Sequence, residues 1–111
     1  MEALERVRRA IEGLKAGSRT AAGRGSLERI LSLAELAVHY ASECRYPEVL
    51  KAAELIGKEV EDWERSERPS FRRWRELRDA VDDLFLSISE EFGSRCGCLL
   101  RPLRAAAGAV G

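Results

Sequence analysis

One histidine, three cysteines and a dense run of arginines are the residues in this chain best equipped for chemistry. His39 lies between Val38 and Tyr40, with Glu35 four residues before it and Glu43 four residues after. On a helix, that spacing puts all three on one ridge. A Glu–His–Glu ridge can orient an imidazole for proton transfer, or offer ligands to a divalent cation. Acid–base catalysis also needs a nucleophile or an orienting constellation, and no motif supplies one. Charged helices produce such triplets freely, so His39 is expected to be structural or partly exposed.

Cys96 and Cys98 form a C-G-C pair, and Cys44 is the third cysteine. Structural zinc sites use C-x₂₋₄-C pairs joined by a second ligand pair. Only Cys44 and His39 remain to complete one, so a Cys₃His site is arithmetically possible and physically weak. No C-x-x-C redox motif occurs. The expectation is three inert thiols, with a disulfide, including an intermolecular one, as the alternative. No cofactor is expected.

Arg68, Arg72, Arg73, Arg75 and Arg78 fall within eleven residues opposed only by Glu76. Arginines at a helix N-terminus oppose its dipole, so a compensating group is expected. Two sources fit. Nucleic-acid phosphates would be gripped in fork geometry. Alternatively Glu61, Asp62, Glu64 and Glu67, at the end of the preceding helix, would pair with the arginines inside the fold or between protomers. Internal pairing is the leading expectation, with Phe71 and Trp74 turned to the core by their apolar period. Asp79, Asp82, Asp83, Glu90 and Glu91 do not make a carboxylate metal site, because the Glu-x-x-His signature is missing. H-E-x-x-H, G-x-S-x-G and phosphate-loop motifs are absent as well.

These residues must be carried by helices. Ala, Leu, Glu and Arg dominate the chain, β-branched residues are sparse, and only three prolines occur. In residues 1–16, Leu4, Val7, Ile11 and Leu14 make a narrow amphipathic stripe suited to a groove or a partner helix. Residues 17–25, GSRTAAGRG, read as a flexible linker. Ser26 is the expected N-cap of a second helix. Leu27, Ile30, Leu31, Ala34, Ala37, Val38 and Ala41 form its broad apolar face, and the alanines invite close approach by a neighbour. Pro47 ends that element and opens a third, over about 48–65, with Val49, Ala53, Ile56, Val60 and Trp63 on its stripe. Residues 66–70 turn. A fourth helix over about 70–92 carries Trp74, Leu77, Val81, Leu84 and Ile88 in near-heptad steps, and Gly93 closes it. The basic tail, 94–111, contains Leu99, Leu100 and Leu103 around Pro102 and is expected to fray.

The 111 residues suit one domain. The expected architecture is all-α: a small antiparallel bundle of three core helices (26–93), plus an N-terminal helix packed either in cis or in trans. Net charge is zero, which argues against a global pull on nucleic acid. Yet residues 1–25 carry +3, 26–93 carry −6 and 94–111 carry +3, so basic ends flank an acidic middle. Nothing reads as a membrane span or signal peptide, so a cytoplasmic location is the default. The absence of Asn and Gln fits either a hot habitat or codon bias, the latter in keeping with sixteen Arg against three Lys.

Functionally, this reads as a non-enzymatic helical interaction or assembly module, dimeric or part of a larger complex. Leu4, Val7, Ile11, Leu14, Leu33 and Leu36 are its candidate interface. Alternatives are a nucleoprotein subunit gripping backbone phosphates through the five arginines, or a small enzyme centred on His39.

Overall fold

The computed structural model describes residues 1–93, all of them in four helices and their turns: α1 (Glu2–Ala16), α2 (Ala21–Ser42), α3 (Tyr46–Glu67) and α4 (Phe71–Gly93). No strand occurs among the described residues. The all-α bundle expected from the periodicity is the fold. The features assigned to residues 94–111, including Cys96, Cys98 and the leucines around Pro102, lie outside the described residues.

The tightest pairing is α2 against α3. Both contribute small buried side chains, Ala34, Ala37 and Ala41 from α2 and Ala52 and Ala53 from α3, which let two backbones approach closely. Helix α1 packs on α4 and α2, and α2 also meets α4. Trp63, Phe85, Ile30, Leu27, Ile56, Leu77, Leu84 and Ile88 fill the centre with essentially no exposure. At about 25 cal/mol per Å² of apolar surface removed from water, side chains of this size drive the assembly.

Helix α1 packs in cis. Val7, Ile11 and Leu14 are buried and Leu4 partly so. The stripe looks narrow in sequence because two of its members are alanines. Ala3 and Ala10 are buried beside the larger side chains, and they widen the face enough for integral packing. Ion pairs line its borders: Arg8–Glu35 at 3.0 Å and Lys15–Glu28 at 3.5 Å to α2, and Arg6–Asp83 at 3.5 Å to α4.

The stretch read as a linker divides differently. Only 17–20 connects; residues 21–25 are the first turn and more of α2. The N-cap is Thr20, not Ser26. Thr20 has extended backbone angles, and its hydroxyl accepts from the Gly23 N–H at 2.9 Å. Ser26 is buried within the helix. The glycines that suggest flexibility serve contact instead. A Cβ on Gly23 would lie 2.3 Å from Glu67 Cγ, and one on Gly17 would lie 2.4 Å from an Arg73 guanidinium nitrogen. At the other turns, Pro47 opens α3 as expected. Arg68 closes that helix in the left-handed region (φ 45°), its N–H bonded to Glu64 O at 2.9 Å. Ser70 Oγ accepts from the Arg73 N–H at the start of α4.

Candidate interaction surfaces

Three of the five clustered arginines are already engaged, but not by the acids the sequence offers. Arg73 reaches back to α1 and donates to Leu14 O at 3.0 Å, satisfying a carbonyl that the helix end leaves open. Arg75 pairs along its own helix with Asp79 at 3.4 Å. Arg78 lies over the Trp74 ring, 4.6 Å from its centroid. Arg68 and Arg72 are exposed and have no side-chain partner among the described residues. Meanwhile Asp62 pairs with Arg65, and Glu64 accepts from the Trp74 indole N–H. The expected α3-to-α4 ion-pair network is therefore replaced by pairs within each helix and by an indole bridge.

Glu67 is the acid the sequence reading misplaced. It is only 5 % exposed and turns away from α4 towards the α1–α2 connection. Its Oε1 accepts from Ser18 Oγ (2.9 Å) and Arg19 N (2.8 Å); its Oε2 accepts from Thr20 N (2.9 Å) and Thr20 Oγ1 (2.6 Å). Burial pushes this carboxyl up, but the donors from Thr20, Arg19 and Ser18 outweigh it and hold the pKa at about 2. The positive end of α2 favours the same charge. Thr20 is a relay: its hydroxyl donates to Glu67 and accepts from Gly23. The sequence signal for this clasp is a run of donors at 18–20 followed by a glycine at 23, which leaves room for a carboxylate.

Helices α3 and α4 carry further buried polar groups. Asp82 has its pKa raised by burial, with Arg78 opposing and Asp79 reinforcing the shift. Asp82 Oδ1, Arg78 Nε and Trp63 Nε1 are buried without hydrogen-bond partners.

The Glu–His–Glu ridge does not assemble. Glu35 is taken by Arg8, leaving His39 to face Glu43 alone at 3.4 Å on an exposed surface. Among the described residues, no three His, Cys, Asp or Glu side chains converge as a metal site. Cys44, in the α2–α3 turn with φ 57°, is disulfide-bonded, so it is not the inert thiol expected. Among the described residues, no helix is long and apolar enough to cross a membrane.

The interface candidates separate into two groups. Leu4, Val7, Ile11 and Leu14 belong to the bundle interior. Leu33 borders a surface feature, and Leu36 is exposed without lining it. A hollow of about 450 Å³ opens between α2 and α3, with Leu33 and Leu55 in its wall and Arg29, Lys58, Glu59 and Asp62 around them. The Arg29–Glu59 pair, 2.8 Å, spans the two helices there. Leu36, one turn along α2 from Leu33, is 43 % exposed. Smaller hollows between α1 and α4 are lined mainly by charged side chains such as Arg6, Arg9, Glu76 and Asp79.

Phe71 departs most from expectation. The apolar spacing assigns it to the core, yet it is 68 % exposed, because it is the first residue of α4 and sits more than a quarter-turn around the axis from the middle of the buried stripe of Leu77, Val81, Leu84 and Ile88. It rests on Trp74, ring centroids 5.5 Å apart and planes tilted by 30°. The chain matches no protein-family model, no curated protein and no solved structure, so function must be argued from these surfaces alone.

Proposed function

We propose that this chain is a non-enzymatic assembly module that pairs with a second copy of itself through the α2–α3 face. The observation that carries this reading is an apolar hollow walled by Leu33 and Leu55, with Leu36 exposed one turn further along α2. A projecting leucine and a recess on the same face are what a two-fold contact requires, since each copy then presents both halves of the fit. The rim favours the same occupant. Arg29, Lys58, Glu59 and Asp62 all line the hollow, two of each sign, so a second copy meets both signs rather than a like-charged field. Zero net charge removes long-range repulsion between copies.

Sedimentation or light scattering of the full chain tests this reading. The expected species has twice the 12.4 kDa monomer mass, and Leu36→Glu returns it to the monomer without loss of helix content. A wild-type chain that stays monomeric up to high micromolar concentration overturns the proposal. So does a dimer that Leu36→Glu and Leu33→Glu both leave intact.

A further inference from the structure

The end of the bundle where α1 meets α2 and α3 meets α4 gathers positive charge with little to offset it. The clasp brings the two turns together: Glu67 holds residues 18–20, and Gly23 packs against its side chain. Arg19 is drawn to the same place, its guanidinium donating to Glu67 O at 3.3 Å. Arg24 follows Gly23 on α2, and Arg68 follows Glu67 in the turn. Arg72 is in the first turn of α4. Arg24, Arg68 and Arg72 are exposed and have no side-chain partner among the described residues. Glu67, next to Arg68 in the chain, is buried with its oxygens taken by four donors, and Glu28 and Glu64 are engaged by Lys15 and Trp74, so Glu76, one turn along α4 from Arg72, is the acid left to offset the three cations. The positive end of the α4 dipole adds to this field. Phe71 immediately precedes Arg72 at the start of α4, rests on Trp74 and is 68 % exposed.

We propose that this end binds single-stranded nucleic acid, with Phe71 stacking a base and Arg24, Arg68 and Arg72 holding adjacent phosphates. Cations alone would fit any polyanion. The flat, exposed ring selects among them, because every unpaired base offers a π-face and an acidic peptide offers none. Duplex DNA hides its bases in the stack, so the ring gains nothing there. The site does not involve the α2–α3 face and does not depend on pairing of copies. It also takes a different view of the arginine cluster from the one the sequence suggests: Arg73, Arg75 and Arg78 are structural, while Arg24 joins Arg68 and Arg72.

The test uses the full chain and a fluorescein-labelled fifteen-nucleotide oligo(dT), with anisotropy read at several salt concentrations. Three phosphate contacts predict a log–log salt slope of about −2. Phe71→Ala should weaken binding by about tenfold or more, and Arg24→Glu/Arg72→Glu should abolish it. Lys51→Glu, a matching charge change on α3 away from this end, should have little effect. All of these side chains are exposed, and unchanged melting curves verify that the variants fold. Labelled poly-Glu of equal charge separates the sources. If it binds as tightly as oligo(dT), and Phe71→Ala is indifferent for both, the surface serves an acidic protein and the nucleic-acid proposal is wrong. No binding of oligo(dT) at low salt, or equal loss with Lys51→Glu, also overturns it.

Discussion

Replacing Glu67 by Gln measures what the clasp contributes. The substitution keeps the side chain's length and removes its charge. Four donors face the carboxylate, and an amide offers one oxygen and an NH₂, so one pair of donors must confront another donor. The size of the effect follows from the carboxyl's displacement from 4.5 to about 2. At about 1.36 kcal/mol per pKa unit, that is about 3 kcal/mol of stabilisation by the ionised form. The group is almost wholly buried, so solvent screening reduces this little. Against a total stability of about 5–15 kcal/mol, the variant should melt on the order of 10–20 °C below wild type near neutral pH. Because the folded-state pKa is depressed, the contribution is complete above about pH 4.5 and is lost as pH falls towards 2. Urea unfolding of wild type and Glu67→Gln at pH 7, 4 and 2.5 should therefore show a gap that narrows with acid. A gap below about 0.5 kcal/mol at pH 7, within the range of ordinary surface substitutions, refutes the reasoning. So does a gap that does not change with pH.

Further outcomes follow from the same contacts. Gly23→Ala should destabilise by about 1–3 kcal/mol through overpacking against Glu67. Gly57→Ala, where a Cβ meets nothing within 4 Å, should stabilise by up to about 1 kcal/mol; paired thermal melts of the two variants check the contrast. Arg73→Ala leaves the Leu14 carbonyl without its donor and should cost about 1–2 kcal/mol, read in urea midpoints. Asp82 has a raised pKa, so its ionised form opposes folding. Asp82→Asn should raise the urea midpoint at neutral pH and lose that advantage in acid.

The helices were legible because large apolar side chains recur at helical spacing through α2, α3 and α4, and such a pattern has one way to leave water. What escaped the sequence was carried by small residues and by polar groups meeting over long separations. Ala3 and Ala10 complete the face of α1, yet an alanine is weak evidence of burial, so the choice between cis and trans packing stayed open. Gly23 and Gly25 resemble linker residues and lie inside α2, because Thr20 caps the helix earlier than Ser26 would. Glu67 meets Thr20 across forty-seven positions, a contact no local pattern announces. Leu33 and Leu36 were visible as apolar residues off the main stripe, but the hollow that Leu33 lines depends on Leu55 of another helix. Phe71, three residues before Trp74, looks like a continuation of the apolar side and still faces outward, since the angle around the axis drifts at each step and leaves it more than a quarter-turn from the middle of the buried stripe of Leu77, Val81, Leu84 and Ile88.

The Glu67 and Arg73 contacts tie both short turns to one another at a single end of the molecule. Thermal fraying of α1 should consequently be directional: it begins at Met1 and travels towards the tethered end, while the Cys44 disulfide restrains the α2–α3 turn. Amide exchange at neutral pH would then be slowest for Thr20, Gly23 and their neighbours among turn-proximal amides, and acid should erase that gradient before it unfolds the bundle.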